Sequence, residues 1–273
     1  MNQKIHFLLL LFISCNPAQQ IETSSNHFPV TQEKVTSMPP KENFYIFLMA
    51  GQSNMAGRGF VQPWDTISSP QVLTLNKNNE WVYAKEPLHY YEPERTGLDC
   101  GLSFGKKLSK LYGKDITIGL VPCAVGGSSI EQWLGDSTYR NVTLYSNFMK
   151  KVTTAAPYGV IKGMLWHQGE ANAGKGYKNY KQNLQTFFEK VRTDIGVPGL
   201  KIYAGELSSF LNRTSNPFAD SVNTDLRNLS ASMPHMYVIP TSDLTPKSDT
   251  IHFDSKSQRL MGERFAEKVF QNR

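Results

Sequence analysis

The chain has 273 residues, 40% of them hydrophobic and 19% charged, a globular balance long enough for one large domain with a full core. Its 29 Lys and Arg against 23 Asp and Glu give a formal charge of +6, scattered in short pairs such as Lys106-Lys107 and Lys150-Lys151. No basic stripe is interleaved with aromatics, which argues against nucleic acid as a partner.

In chain order, Lys4 opens a short positive start, and Phe7 to Ile13 is an unbroken apolar run of seven residues. A bilayer needs about 20 residues, so this run suits the core of an export signal instead. It ends in Phe12-Ile13-Ser14-Cys15, which resembles a bacterial lipoprotein signal, whose cysteine becomes the lipidated first residue. Residues 1–15 are therefore expected to be an export signal and Cys15 a lipidation site. The protein is expected in the periplasm or at the cell surface, meeting a membrane only through that anchor. In an oxidising compartment Cys100 and Cys123 are either a disulfide pair or two buried thiols. With no histidine at ligand spacing they form no zinc signature.

Residues 16–42, rich in Gln, Ser, Thr, Asn and Pro, read as a flexible tether to a single domain over 43–273. Within it, apolar β-rich runs are expected as strands at 44–49, 116–121, 160–166, 200–204 and 236–240. Helical periodicity fills the gaps. Tyr177, Tyr180, Leu184, Phe187, Phe188, Val191 and Ile195 make one stripe over 176–195. Met261, Phe265 and Val269 make another over 255–271, with Ser255 as its expected cap. Alternating strands and helices predict a parallel sheet covered on both faces, with ligands at the carboxyl ends of the strands.

Polar clusters follow those strands. After the first comes Gly51-Gln52-Ser53-Asn54-Met55, a serine on a strand-to-helix turn, either a nucleophile or a helix cap. After the second comes Cys123-Ala124-Val125-Gly126-Gly127-Ser128, where paired glycines can leave a backbone N–H free to donate. After the third comes Trp166-His167-Gln168-Gly169-Glu170-Ala171-Asn172. Its Gln168 amide is a candidate oxyanion donor, and His167 reads as a packed or bridging histidine. After the fifth comes Asp249-Thr250-Ile251-His252, whose spacing can set a carboxylate beside its imidazole.

Taken in order, these four motifs resemble the SGNH hydrolases. Their wording is similar to the branch holding sialate O-acetylesterase-like proteins and the acetylxylan esterases of carbohydrate esterase family six, over residues 43–273. The resemblance implies a flavodoxin-like three-layer α/β/α sandwich whose five-stranded, mainly parallel sheet runs in the order 2-1-3-4-5. It implies Ser53 as nucleophile, His252 as base and Asp249 as the acid that orients it, with Glu170 as an alternative or second acid. The oxyanion donors would be Ser53, Gly127 (or its neighbour Gly126) and Gln168, which stands where the wider superfamily has asparagine. The implied reaction is removal of O-acetyl groups from a carbohydrate, acetylated xylan or a related plant polysaccharide, with O-acetylated sialic acid as the alternative and no metal or organic cofactor. A non-catalytic surface carbohydrate-binding protein would keep the fold without the intact polar set. Arg58, Asn54 and Trp64 are candidate substrate contacts, Arg58 alternatively an ion-pair residue bracing the nucleophile turn. The aromatic segment 60–99, which also carries Trp81, Tyr83, His89, Tyr90 and Tyr91, is the expected source of selectivity.

Overall fold

The computed structural model describes residues 32–174, 177–211 and 215–273. The export segment, Cys15 and the tether up to residue 31 lie outside the described residues. The central strand β1 (Phe44–Gly51) is buried over nearly its whole length. Its alternate residues serve two different cores. Phe44, Ile46, Leu48 and Ala50 join the larger cluster on one face, and Phe47 and Met49 join the smaller one on the other. A strand covered on both sides has no polar face, which is why its sequence reads as a continuous apolar run.

Six further strands complete the main sheet: β2 (Val72–Leu75), β3 (Trp81–Tyr83), β4 (Thr117–Pro122), and, beyond a small hairpin of β5 (Thr138–Tyr139) and β6 (Val142–Thr143), β7 (Val160–His167), β8 (Lys201–Gly205) and β9 (Met236–Ile239). Their order is β3-β2-β4-β1-β7-β8-β9, all parallel except β3. The five strands expected from the sequence stand side by side in the order expected. The sheet is nevertheless seven-stranded. The β2–β3 pair adds an edge beside β4, drawn from the segment 60–99 expected to supply selectivity.

The helices are α1 (Ser53–Ala56), α2 (Gly101–Tyr112), α3 (Ile130–Leu134), α4 (Leu144–Ala155), α5 (Glu170–Ala173), α6 (Tyr180–Ile195), α7 (Ala219–Ser232) and α8 (Ser255–Gln271). Apolar residues of α3, α4, α6 and α7 pack into the larger core, and those of α2 and α8 into the smaller, which makes the three layers. On α6 the expected stripe is buried from Tyr180 to Val191. On α8, Met261, Phe265 and Val269 are buried as expected, but the cap is Asp254, whose side chain accepts from the Ser257 N–H. Ser255 already belongs to the first turn, and its hydroxyl donates to the Phe60 carbonyl.

One detail differs from the sequence reading at the amino-terminal side. Residues 33–35 hydrogen-bond along β3, Tyr83 N to Glu33 O at 3.0 Å and Val35 N to Trp81 O at 3.1 Å, so the end of the expected tether is docked on the sheet edge. Of the two states open to Cys100 and Cys123, the structure has the second: both are buried free thiols. Burial pushes the Cys123 thiol up to about 12 and Cys100 well above its ordinary value, leaving both protonated and unreactive at neutral pH.

Candidate active site

The first functional turn is made possible by Gly51. At φ +135°, a Cβ on this residue would stand 2.1 Å from the His167 carbonyl oxygen, so only glycine lets β1 end this close to β7. The chain then donates Gln52 N–H to that same carbonyl at 2.9 Å and enters α1 at Ser53. As the first residue of a helix, Ser53 has an N–H with no partner inside it.

Ser53 Oγ lies 3.0 Å from His252 Nε2, and His252 Nδ1 lies 2.8 Å from Asp249 Oδ2. The other Asp249 oxygen accepts the N–H groups of Ile251 and His252, both at 2.9 Å. These bonds fold residues 249–252 into a tight turn, with Thr250 in the left-handed region at φ 55°. Burial raises the Asp249 carboxyl, but hydrogen bonds from the His252 backbone and ring and from Ile251 outweigh it and hold the acid below its ordinary value. With Asp249 ionised, the imidazole carries its proton on Nδ1 and turns a bare Nε2 toward the serine hydroxyl.

Glu170 does not join this group. Its Oε1 accepts from Asn54 Nδ2 at 2.6 Å and lies 3.6 Å from His167 Nδ1, and it makes no hydrogen bond or ion pair with His252. Asp249 holds the histidine because it sits on the same turn, whereas Glu170 sits at the base of α5 behind the nucleophile. His167 is a fully buried bridge, its Nε2 on the Glu206 carbonyl at 3.0 Å.

Asn54 is likewise not a substrate contact. It is 1% exposed, and both ends of its amide are used: Oδ1 accepts the Phe253 N–H at 3.1 Å, and Nδ2 reaches Glu170 and the Ile251 carbonyl. Arg58 is buried against Glu92, Nη2 to Oε2 at 2.9 Å, and braces the glycine loop rather than an open pocket. Trp64 is 57% exposed under the Arg259 guanidinium on the α2–α8 side, apart from Ser53. Most of the other candidate aromatics are framework. Trp81 packs edge-on against Phe44, His89 binds Asp99 at 2.7 Å, and Tyr91 donates to the Pro122 carbonyl.

The oxyanion donors also separate. The Gly126 N–H is spent on Glu92 Oε2 at 2.6 Å, while the Gly127 N–H meets no acceptor among the described residues. Gly127 sits at φ +81°, and a Cβ there would press to 3.0 Å from the Tyr139 hydroxyl. Gln168 is fully buried, its Nε2 committed to Asn172 Oδ1 at 2.7 Å, the Ser128 carbonyl and Gln52 Oε1. It has no amide hydrogen left for an oxyanion. The residue that sequence reasoning missed is Gln52. Its Oε1 accepts from the Gly169 and Ala171 N–H groups and from Gln168, which fixes the amide orientation. Its Nε2 donates to nothing among the described residues and adjoins Ser53 in the chain. The position alone carried the signal: an amide directly before the serine.

Beside Gly127 stands the β5–β6 hairpin. Its two turn residues, Arg140 and Asn141, both take positive φ, the geometry of a tight two-residue turn. Arg140 Nε donates to the Gly126 carbonyl at 2.8 Å and lies 3.4 Å from Glu92. Burial pushes the Glu92 carboxyl up, but the Arg58 charge, the Gly126 N–H and the Arg140 charge outweigh it and hold it below its ordinary value. Among the described residues no group of three or more His, Cys, Asp or Glu is placed to hold a metal ion.

A three-layer sandwich with this strand order, and a serine leaving its central strand toward a histidine, has the form of the SGNH-type ester hydrolases. Comparison with known proteins narrows the class. The sequence model for "Carbohydrate esterase, sialic acid-specific acetylesterase" matches residues 43–271. The chain belongs to that family and is a carboxylic ester hydrolase of the carbohydrate acetylesterase kind. A protein of Arabidopsis thaliana described as a probable carbohydrate esterase is 29% identical over 257 residues, covering 86% of this chain and 92% of the relative. A solved Arabidopsis thaliana structure superposes with a TM-score of 0.73 at 27% identity, over 86% of this chain and 99% of that one. NanS shares the fold at 16% identity, with a TM-score of 0.66 over 86% of this chain and 99% of that one.

The charge cluster under the glycine loop has a measurable signature. Glu92 has a depressed folded pKa, so its contribution to stability is present above its unfolded value near 4.5 and is lost as pH falls through the folded value. Glu92→Gln should cost about 3 kcal/mol in urea unfolding near neutral pH, because it leaves the Arg58 charge buried and unpaired. The gap to wild type should shrink as the pH falls below 4.5 and on through the depressed folded value. A gap that is the same at both pH values would contradict the ion-pair account.

Proposed function

We propose that the protein removes O-acetyl groups from a carbohydrate through an acetyl-enzyme on Ser53. The observation that carries the reading is the continuous chain Ser53 Oγ, His252, Asp249 at 3.0 and 2.8 Å. His252 Nε2 takes the hydroxyl proton as Ser53 attacks the acetyl carbonyl, and Asp249 stabilises the imidazolium that results. The Ser53 and Gly127 N–H groups hold the oxyanion with the Gln52 amide, which takes the part first expected of Gln168. His252 then hands its proton to the departing sugar hydroxyl. Water, activated by the same histidine, releases acetate and restores Ser53.

The substrate proposed is an acetylated xylan or a related polysaccharide. A second reading, an O-acetylated sialic acid, is favoured by Arg140. Its two terminal nitrogens donate to nothing among the described residues beside Gly127, and a guanidinium fork matches a sugar carboxylate. We also propose export with a lipid anchor at Cys15, supported by the short apolar run that ends at Ile13, two residues before it.

Acetate release from acetylated xylan, O-acetylated sialic acid and p-nitrophenyl acetate tests the reaction. Ser53→Ala should abolish release from all three, and Gln52→Ala should lower it on the order of 10² to 10³. Turnover by Ser53→Ala equal to wild type would end the proposal. Arg140→Ala should weaken sialate turnover about tenfold more than turnover of the two neutral esters, whose shared loss reports its bond to the glycine loop; an equal loss on all three would remove the carboxylate contact. Cys15→Ala should free the protein from membranes, and unchanged membrane retention would refute the anchor.

A further inference from the structure

The connection from β7 to α6 carries Gln168 and Glu170 and then runs on to a second concave surface. There Tyr177 and Asn179 of the connection, with Lys181, Gln182 and Gln185 of α6, line an open cleft of about 360 Å³ bordered from α7 by Asp225. None of Ser53, His252 and Asp249 borders it. The Tyr177 ring stacks on Phe218 with centroids 5.0 Å apart and planes 10° from parallel, and its hydroxyl donates to Asp225 Oδ2 at 3.0 Å. An aromatic ring fixed against a second ring and at its tip is set before any ligand arrives, so little ordering is left to oppose binding.

The chemistry of the walls selects the ligand. No aliphatic side chain lines the cleft, so a greasy molecule gains little there. Lys181 and Asp225 offset each other, so a small ion finds no concentrated opposite charge. A ring with three amides around it suits a sugar: the C–H face of a pyranose lies on the aromatic ring, while its hydroxyls exchange hydrogen bonds with amides that both donate and accept, Gln185 keeping one amide hydrogen beside the one it gives Glu189. The volume lies within the range of small-ligand sites.

Position supports the same ligand. β1 and β7 are parallel neighbours, so both end at one edge of the sheet. Ser53 follows β1, and the Tyr177–Gln185 segment follows β7, one strand away on that edge. Tyr180, in the first turn of α6, donates to the Gln168 carbonyl at 2.9 Å and ties the cleft to the loop behind the nucleophile.

We propose that this cleft is a subsite for unacetylated sugar units of the glycan that presents its acetyl group to Ser53. The preferred substrate is then an oligosaccharide or polymer chain rather than a free acetylated monosaccharide. The identity of the glycan rests on the esterase reading; binding at the cleft is independent of it. Saturation-transfer NMR on the intact protein tests the subsite with two unacetylated probes, xylotetraose and sialyllactose. Wild type and Ser53→Ala should transfer saturation to at least one probe, xylotetraose marking a neutral chain and sialyllactose a sialylated one. Tyr177→Ala and the exposed-site variant Gln182→Ala should each weaken binding, Tyr177→Ala by about tenfold. The subsite is overturned if neither probe receives saturation from wild type, or if both variants bind like wild type. Failure of acetate release would instead strike the esterase reading and leave these signals unchanged.

Discussion

The site depends on one buried side chain, Asn54. Ser53 and His252 are 199 residues apart, and the histidine stands on a turn outside any helix or strand. Asn54, next to the serine, accepts the N–H of Phe253 and donates toward the carbonyl of Ile251, the two residues flanking His252. Its own carbonyl accepts from Gln258 on α8. The nucleophile turn and the histidine turn are therefore joined by hydrogen bonds, that to the Phe253 N–H buried and that to the Ile251 carbonyl partly so. Glu170 anchors the other end of the clasp, and Phe253 packs against His167 and Phe210 beneath it. A buried network of this kind is costly to break, because each lost partner leaves a polar group without solvent.

A second constraint shapes the opposite wall. The Glu92 carboxylate gathers Arg58, Arg140 and the Gly126 N–H, so three separate segments converge on one charge. It takes the Gly126 N–H, while that of Gly127 meets no acceptor among the described residues. It also pulls the Arg140 turn over the glycine pair, which brings a guanidinium to the rim. Charge pairing in the framework thus sets both which backbone group is open and which side chain stands beside Gly127.

The sequence made the central architecture readable where burial leaves a strong pattern. The runs at β1, β4 and β7 are apolar because both faces are covered, and the α6 stripe is one-sided because only one face is. The β2–β3 edge escaped because its strands are four and three residues long and lie in a segment whose aromatics also suit sugar contacts. Ser53, Asp249 and His252 were legible as residue types at strand ends, and the Asp-x-x-His spacing translates directly into a local turn. The roles of Gln52 and Gln168 were not, since two glutamines at neighbouring strand ends look equivalent until the backbone N–H groups of residues 169 and 171 fix one carbonyl. The same holds for Arg58: nothing in its neighbourhood points to Glu92, 34 residues on.

The central claim is that Ser53 is the nucleophile activated by His252. Intact-protein and peptide mass spectrometry after treatment with an alkyl phosphonate ester tests it most directly. The account predicts one phosphonyl group, carried by the peptide containing Ser53, with labelling slowed strongly in His252→Ala. Labelling on another residue, or a rate unchanged by His252→Ala, would contradict it.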